Sequence, residues 1–389
     1  MIIIYLFGIF VFIFCIYYHY TYTSYIELFY DDLTHFQRGI KAYLCVSLNL
    51  DHVDQHTIEF FENKLKKVIP NNDVFYFEKT HYNNKIKRIS NLNIKQRYKD
   101  LTLNGYQEIN NLDLIHKTYD SKQLISIVLN KKNKTITCCF NHGIMDGVGI
   151  IKLISKIIET KNKKTRKIPI FKFNIIILIY SFIKLILNYN RLKNIKHTPV
   201  LYNNSENSTI YSLNVDICDI NNIKNLNNCS FNAAIQAYIF NYIKDYSKKY
   251  NIVTLIAGEK KKNYFNSVGS IPYSINFDKL NDSLANTIDL NFYKNDFLAP
   301  ISLNKRIISL FKKKYSNNVD ILFSGLPFSK NDLYLNNSLV NYHKVFIPYH
   351  LAPMYVFSCK MKDKIFFSIG VRDKNLNKFL EKYKWHIIN

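Results

Sequence analysis

Two hydrophobic periods meet in one stretch of this chain, and the rest of the sequence is ordered around it. Thr135–His142 alternates with period two, so Ile136, Cys138, Phe140 and His142 share one face of a predicted strand. Thr135, Thr137, Cys139 and Asn141 share the other. From Ile150 the period changes: Ile150, Leu153, Ile154 and Ile157 fall at i, i+3, i+4 and i+7, the apolar stripe of a helix. The segment H-G-I-M-D-G joins them, His142 to Gly147. A histidine thus closes a strand, in a turn with two glycines, four positions before a carboxylate.

The same patterns predict elements elsewhere. Strands are expected at Tyr43–Leu50, Leu124–Leu129, Thr209–Val215, Ile252–Ala257, Asp320–Phe323, Val345–Ile347, Tyr355–Met361 and Lys364–Val371. Helices are expected at Val53–Val68, Ile217–Leu226 and Ser302–Tyr315, and over Phe231–Tyr246 behind an N-cap at Ser230. Asn71–Asn111 is polar and aperiodic, and no element is assigned there. Alternating strands and helices in both halves define an α/β layered fold.

Two apolar runs bear on membranes. Ile2–Tyr18 carries no charge and is followed by the tyrosines of Tyr17–Tyr25, which fits an N-terminal transmembrane anchor; a buried helix is the alternative. Ile170–Leu187 is interrupted by Lys172, Asn174 and Lys184, and fits an interfacial amphipathic helix or a core helix. The expected organisation is an anchor at 1–25, a subdomain at 26–195 and a second at 196–389.

Composition changes the picture only slightly. The formal charge is +24, but lysine is spread through a sequence also rich in Asn, Ile and Tyr. No zinc-finger, RNP or helix-turn-helix pattern accompanies it, so a nucleic-acid partner is not expected. The seven cysteines have irregular spacing and no C-x-x-C pair, which points to reduced thiols. No H-E-x-x-H pair, P-loop or G-x-G-x-x-G occurs and the histidines are scattered, so neither a metal nor a tightly bound cofactor is expected.

His142–Gly147 resembles the HxxxDG core of the CoA-dependent acyltransferase superfamily, the group of chloramphenicol acetyltransferase, BAHD acyltransferases and condensation domains. Asn141 stands where many members have a first His. Further along, Ser230–Ala234, Asn266–Gly269, Asp320–Pro327 and Ile347–Asp373 are similar to segments of the wax ester synthase/diacylglycerol acyltransferase branch, with Ala233 and Gly325 as departures. The resemblance implies two similar α/β subdomains of the chloramphenicol acetyltransferase type with the active site between them. It implies His142 as general base, Asp146 as a residue that orients the loop through a cation, and Gly147 as room for substrates. Asn232 and Ser324 become candidate substrate-binding groups.

The implied reaction transfers a fatty acyl group from acyl-CoA, a co-substrate, to a hydroxyl-bearing lipid, giving wax ester or triacylglycerol. The catalytic part is expected on the cytosolic side of an endoplasmic-reticulum-type membrane. Two alternatives stay open: transfer to a small alcohol or amine, and an inactive membrane-tethered binding protein on the same fold. Asp146 also reads as a simple helix N-cap, and Asn232 and Ser324 as a helix start and a strand end. The oligomeric state is not legible in the sequence.

Overall fold

A computed structural model describes residues 25–27, 39–79, 85–89, 92–103, 108–121, 123–160, 208–257, 268–280, 283–294, 299–300, 319–329, 332–349 and 352–388. The anchor assigned to 1–25, apart from Tyr25, lies outside them, as do the run 170–187 and the helix at 302–315. Among the described residues no helix is long and apolar enough to cross a membrane.

The first half contributes β1 (Tyr25–Glu27), β2 (Tyr43–Leu50), β3 (Phe77–Lys79), β4 (Lys85–Arg88), β5 (Ile125–Asn130), β6 (Thr135–Asn141) and β7 (Glu159–Thr160). Its helices are α1 (Gln55–Val68), α2 (Ile94–Leu101), α3 (Asn111–Asp120) and α4 (Gly147–Ile154). The second half contributes β8 (Thr209–Asp216), β9 (Lys249–Ala257), β10 (Val268–Asn276), β11 (Ala299–Pro300), β12 (Ile321–Ser329), β13 (Leu333–Leu335), β14 (Ser338–Phe346), β15 (Met354–Met361), β16 (Lys364–Val371) and β17 (His386–Ile388). Its helices are α5 (Ile217–Asn227), α6 (Phe231–Ile243), α7 (Leu284–Lys294) and α8 (Lys374–Leu380).

These strands form a six-stranded sheet, β5-β6-β2-β14-β13-β7, an eight-stranded sheet, β11-β10-β9-β12-β15-β16-β8-β17, and a small sheet, β1-β4-β3. The first is antiparallel at its centre, where β6 pairs with both β5 and β2. In the second, β12 runs parallel to both β9 and β15.

The predicted alternation of β6 is realised. Ile136, Cys138 and Phe140 join the large core that α1 and α4 cover, while Cys139 packs on the other face with Leu114 and Ile115 of α3. At β15 and β16 the second sheet is buried on both faces. Met354 and Val356 of β15 face the helices of their own half; Tyr355, Phe357 and Met361 enter the core of the first sheet. The two sheets therefore share a core, and the junction between them is a packed surface. This double burial is why β15 and β16 read as almost unbroken apolar runs.

Two differences from the sequence reading matter. The strand expected at 345–347 is the end of a longer strand, β14, and it belongs to the first sheet, where it pairs antiparallel with β2. Chain that follows residue 196 thus returns to the first layer. Without it the edge of β2 would bury unpaired N–H and C=O groups. The polar stretch 71–111 also carries structure: β3, β4 and α2. Helix α2 escaped notice because its most buried side chain, beside Leu101, is the charged Arg97.

β14 ties the sheets together. The Val345 N–H donates to Ser368 Oγ of β16 at 2.9 Å, and the Ile347 N–H to Tyr355 Oη at 3.2 Å. The Tyr355 ring lies flat on Gly370, its partner across β15–β16, where a Cβ would come within 1.9 Å of the ring. Only glycine fits that close approach.

His343 of β14 is buried, with its ring edge-on to Phe366 at a centroid distance of 5.8 Å. Burial pushes its pKa down from 6.5 to about 3. The neutral form is the folded form, so His343 favours folding above the unfolded value and that contribution is lost as pH falls from 6.5 toward about 3. Stability measured by urea titration should drop by up to about 1.4 kcal/mol per pH unit in this window. His343→Phe should flatten that dependence; parallel curves for the two proteins would refute the assignment.

Candidate active site

The motif turn is fixed from both of its ends. After β6 ends at Asn141, the His142 N–H still donates to Ala42 O at 2.7 Å, so the histidine backbone is held in the sheet ladder. The Asn141 side chain folds back to accept the Gly143 N–H at 2.7 Å, and the Ile144 N–H donates to Asn141 O at 3.1 Å. Short Asn side chains favour this self-bonding turn. Ile144 and Met145 then sink into the core, at 0% and 2% exposure.

Beneath the turn lies a row of close cross-strand pairs between β2 and β6: Tyr43 with Asn141, Cys45 with Cys139, and Ser47 with Thr137. Ser47 Oγ and Thr137 Oγ1 are 2.8 Å apart, and Tyr43 Oη donates to Gln123 O at 2.6 Å. Burial raises the pKa of the Tyr43 hydroxyl and the Cys138 thiol, so neither is an anion at neutral pH. A cysteine nucleophile beside His142 is thereby disfavoured for Cys138.

Asp146 caps α4. Its carboxylate accepts the Gly149 N–H at 2.8 Å and its carbonyl accepts the Ile150 N–H at 3.0 Å. The residue is 2% exposed. An N-cap of this kind contributes about 1 kcal/mol to the helix. The cap ties Asp146 to the first turn of α4, and Gly147 opens the helix directly after it.

His142 itself is half-buried. Strand alternation turns it to the same face as Cys138 and Phe140, the face that meets the second sheet. α4 contacts β12 across that junction. On β12, Leu322 packs into the shared core, and Ser324 lies two residues on, on the same face. Ser324 and the His142 turn therefore front the same junction from opposite halves.

Asn232 is placed differently. It stands at the start of α6, where Ser230 Oγ accepts the Ala233 N–H at 3.2 Å as an N-cap. Its Oδ1 lies 3.7 Å from the point a Gly325 Cβ would occupy, and Ser358 Oγ lies 3.4 Å from that point. Gly325 alternates with Ser324, so Asn232 and Ser358 sit on the helix-covered face of the second sheet. The structure holds His142, Asp146 and Gly147 in one turn, puts Ser324 on the core-facing side of β12, and gathers Asn232 with Ser358 behind that strand. Ser358 was not foreseen; a lone serine in the buried run of β15 was its only signal. Tyr43 and Gln123, the props beneath the turn, left none.

A cavity of about 390 Å³ opens beside α4. Met145 and Gly149 line it, but His142 does not. Among the described residues no group of His, Cys, Asp and Glu could hold a metal ion.

No protein-family model and no curated protein matches the chain. Solved structures do. Trichothecene 15-O-acetyltransferase TRI3 from Fusarium sporotrichioides superposes with a TM-score of 0.61 at 13% identity, over 92% of this chain and 94% of that one. The starter condensation domain of rhizomide synthetase RzmA, in complex with C8-CoA and Leu-SNAC, gives 0.59 at 10% identity, over 92% and 93%. The wax ester synthase/diacylglycerol acyltransferase of Marinobacter aquaeolei VT8 gives 0.52 at 10% identity, over 91% and 96%. The chain thus has the fold that condensation domains share with these acyltransferases, along nearly its full length.

Proposed function

We propose that the protein is an acyl-CoA-dependent O-acyltransferase that acylates a lipid alcohol, with His142 as its general base. The observation that carries this reading is the His142 turn. It is clamped by the sheet ladder, by Asn141 and by the Asp146 cap, and it fronts the junction of the two halves in an acyltransferase fold. A base held that rigidly meets the positional demand of proton transfer.

In the reaction, the His142 imidazole takes the hydroxyl proton as the alcohol oxygen attacks the thioester carbonyl. The resulting tetrahedral oxyanion collapses, the C–S bond breaks, and the imidazolium returns its proton to the departing CoA thiolate. Imidazole suits both steps because its reference pKa is about 6.5. Ser324 is assigned to the side of the acyl group, where a hydroxyl donor would stabilise developing negative charge. Gly147 is assigned to the space beside the histidine, and Asn232, on the opposite face of β12 from Ser324, to the support of that strand and not to substrate. Asp146 keeps the turn in place and does not take the proton.

A lipid acceptor is favoured by the wax ester synthase/diacylglycerol acyltransferase likeness and by the uncharged N-terminal run. A membrane location goes with it. A smaller acceptor is the second reading, favoured by the higher TM-score of the trichothecene acetyltransferase. Incubating the purified full chain with radiolabelled acyl-CoA and a panel of acceptors separates the two. Label is expected in the neutral-lipid fraction with a long-chain alcohol or diacylglycerol. Label only in a water-soluble ester or amide would establish the second reading, and no transfer to any acceptor would overturn both.

A further inference from the structure

Beside α4 lies a cavity that the proposed reaction does not use. Its wall is made by the first half alone: the turn after α1, strand β4 and one flank of α4. Val74, Met145 and Leu153 provide an apolar floor. Arg88, Lys152 and Lys156 converge on it from two elements. Lys152 stands in the last turn of α4 and Lys156 just past its end, and both line the cavity.

The charge balance of this cavity is uneven. Asp73 is the one carboxylate among the described residues that line it, and Arg88 already meets it at 3.3 Å. Lys156 is held by Asn72 Oδ1, a neutral acceptor that leaves its charge uncompensated. Among the described residues the wall therefore carries two more cations than anions. A surface lysine pair alone would be an ordinary solvated face. Here the pair borders a concave space of about 390 Å³, and a third cation, Arg88, lines the same space.

We infer that this cavity is a binding site for a phosphate monoester or diphosphate group, held by Lys152, Lys156 and Arg88. A tetrahedral oxyanion offers several acceptors to the multiple donors of two ammonium groups and a guanidinium. The apolar floor suits a ligand whose phosphate sits at the rim and whose carbon skeleton points inward. A soluble phosphorylated compound and a phosphomonoester lipid headgroup share this chemistry. The site does not depend on the acyl-transfer reading, because the residues that build it take no part in the proposed reaction.

Binding is measured directly on the full chain. Inorganic pyrophosphate is titrated by calorimetry, and phosphatidylcholine vesicles containing or lacking phosphatidic acid are tested by co-sedimentation. The Lys152→Ala/Lys156→Ala variant should lose roughly tenfold in affinity for each ammonium removed. The control is Lys131→Ala/Lys132→Ala, which removes the same charge from the exposed β5–β6 turn and should bind as the parent does. Pyrophosphate binding lost only in the first variant supports the site with a soluble ligand. Phosphatidic-acid-dependent sedimentation lost only in the first variant supports it with a lipid one. The inference is overturned if the parent binds neither probe, if the first variant binds like the parent, or if the control loses as much. Circular dichroism and thermal melting confirm that both variants are folded.

Discussion

Replacing His142 by alanine is expected to lower acyl transfer by about 10²–10⁴-fold, the range a positioned acid–base group supplies. The fold should survive. His142 is half-buried at the rim of the sheet, and the ladder bond to Ala42 is made by its backbone N–H, which alanine keeps. Asn141 and Asp146, which shape the turn, are untouched by the change. The measurement is ester formed per minute by the purified variant, alongside its melting temperature. A lost proton acceptor lowers kcat and kcat/KM together, while acyl-CoA affinity stays close to that of the parent. Ester synthesis at the parental rate would end the proposal that His142 is the base. Loss of activity accompanied by loss of fold would assign the residue to the architecture instead.

Replacing Arg97 by alanine should produce the largest loss of stability, about 3 kcal/mol. Arg97 is 2% exposed, and its guanidinium satisfies three buried acceptors. Nε donates to Phe75 O at 2.7 Å, Nη2 to Phe77 O at 3.0 Å, and Nη1 to Gln123 Oε1 at 2.8 Å. Nη1 also lies 3.4 Å from Glu78, whose side chain is 36% exposed and so contributes less. Burial drives the guanidinium pKa down, and Glu78 and Asp100 partly restore it. Alanine removes every donor at once and strands two carbonyls and an amide oxygen away from water. Lysine should recover only part of the loss, since one ammonium cannot span that fork. Urea denaturation at neutral pH measures the difference. A change below about 1 kcal/mol would mean that the cost of burying the charge cancels its bonds, as happens in some buried ion pairs.

These two residues sit at opposite ends of one support. Arg97 fixes Gln123, the Gln123 carbonyl takes the Tyr43 hydroxyl, and Tyr43 stands opposite Asn141, the residue that ties the turn after His142. The place filled by a first histidine in many proteins with this motif is used here for turn geometry. Asn141 is 1% exposed and faces away from the junction, so its replacement of histidine leaves the side that carries His142 unchanged.

By itself the sequence determined the elements whose burial is simple. β2 falls at Tyr43–Leu50 as expected, and β6, β15 and β16 fall within a residue of theirs, because alternation or an unbroken apolar run reports directly on how a strand is buried. It also determined the motif turn and its cap, since Asp146 and the Ser230 start of α6 act through atoms two or three residues away. Only the tertiary structure decided what depends on partners distant in sequence. Arg97 looks like a surface residue until the carbonyls of Phe75 and Phe77 surround it. β14 reads as second-half chain until the open edge of β2 captures it. Ser324 and Asn232, alike as polar residues in apolar surroundings, are separated by the two faces of one sheet. Local bonds leave a mark on neighbouring residues; a bond to a partner well removed along the chain leaves none until the chain has folded.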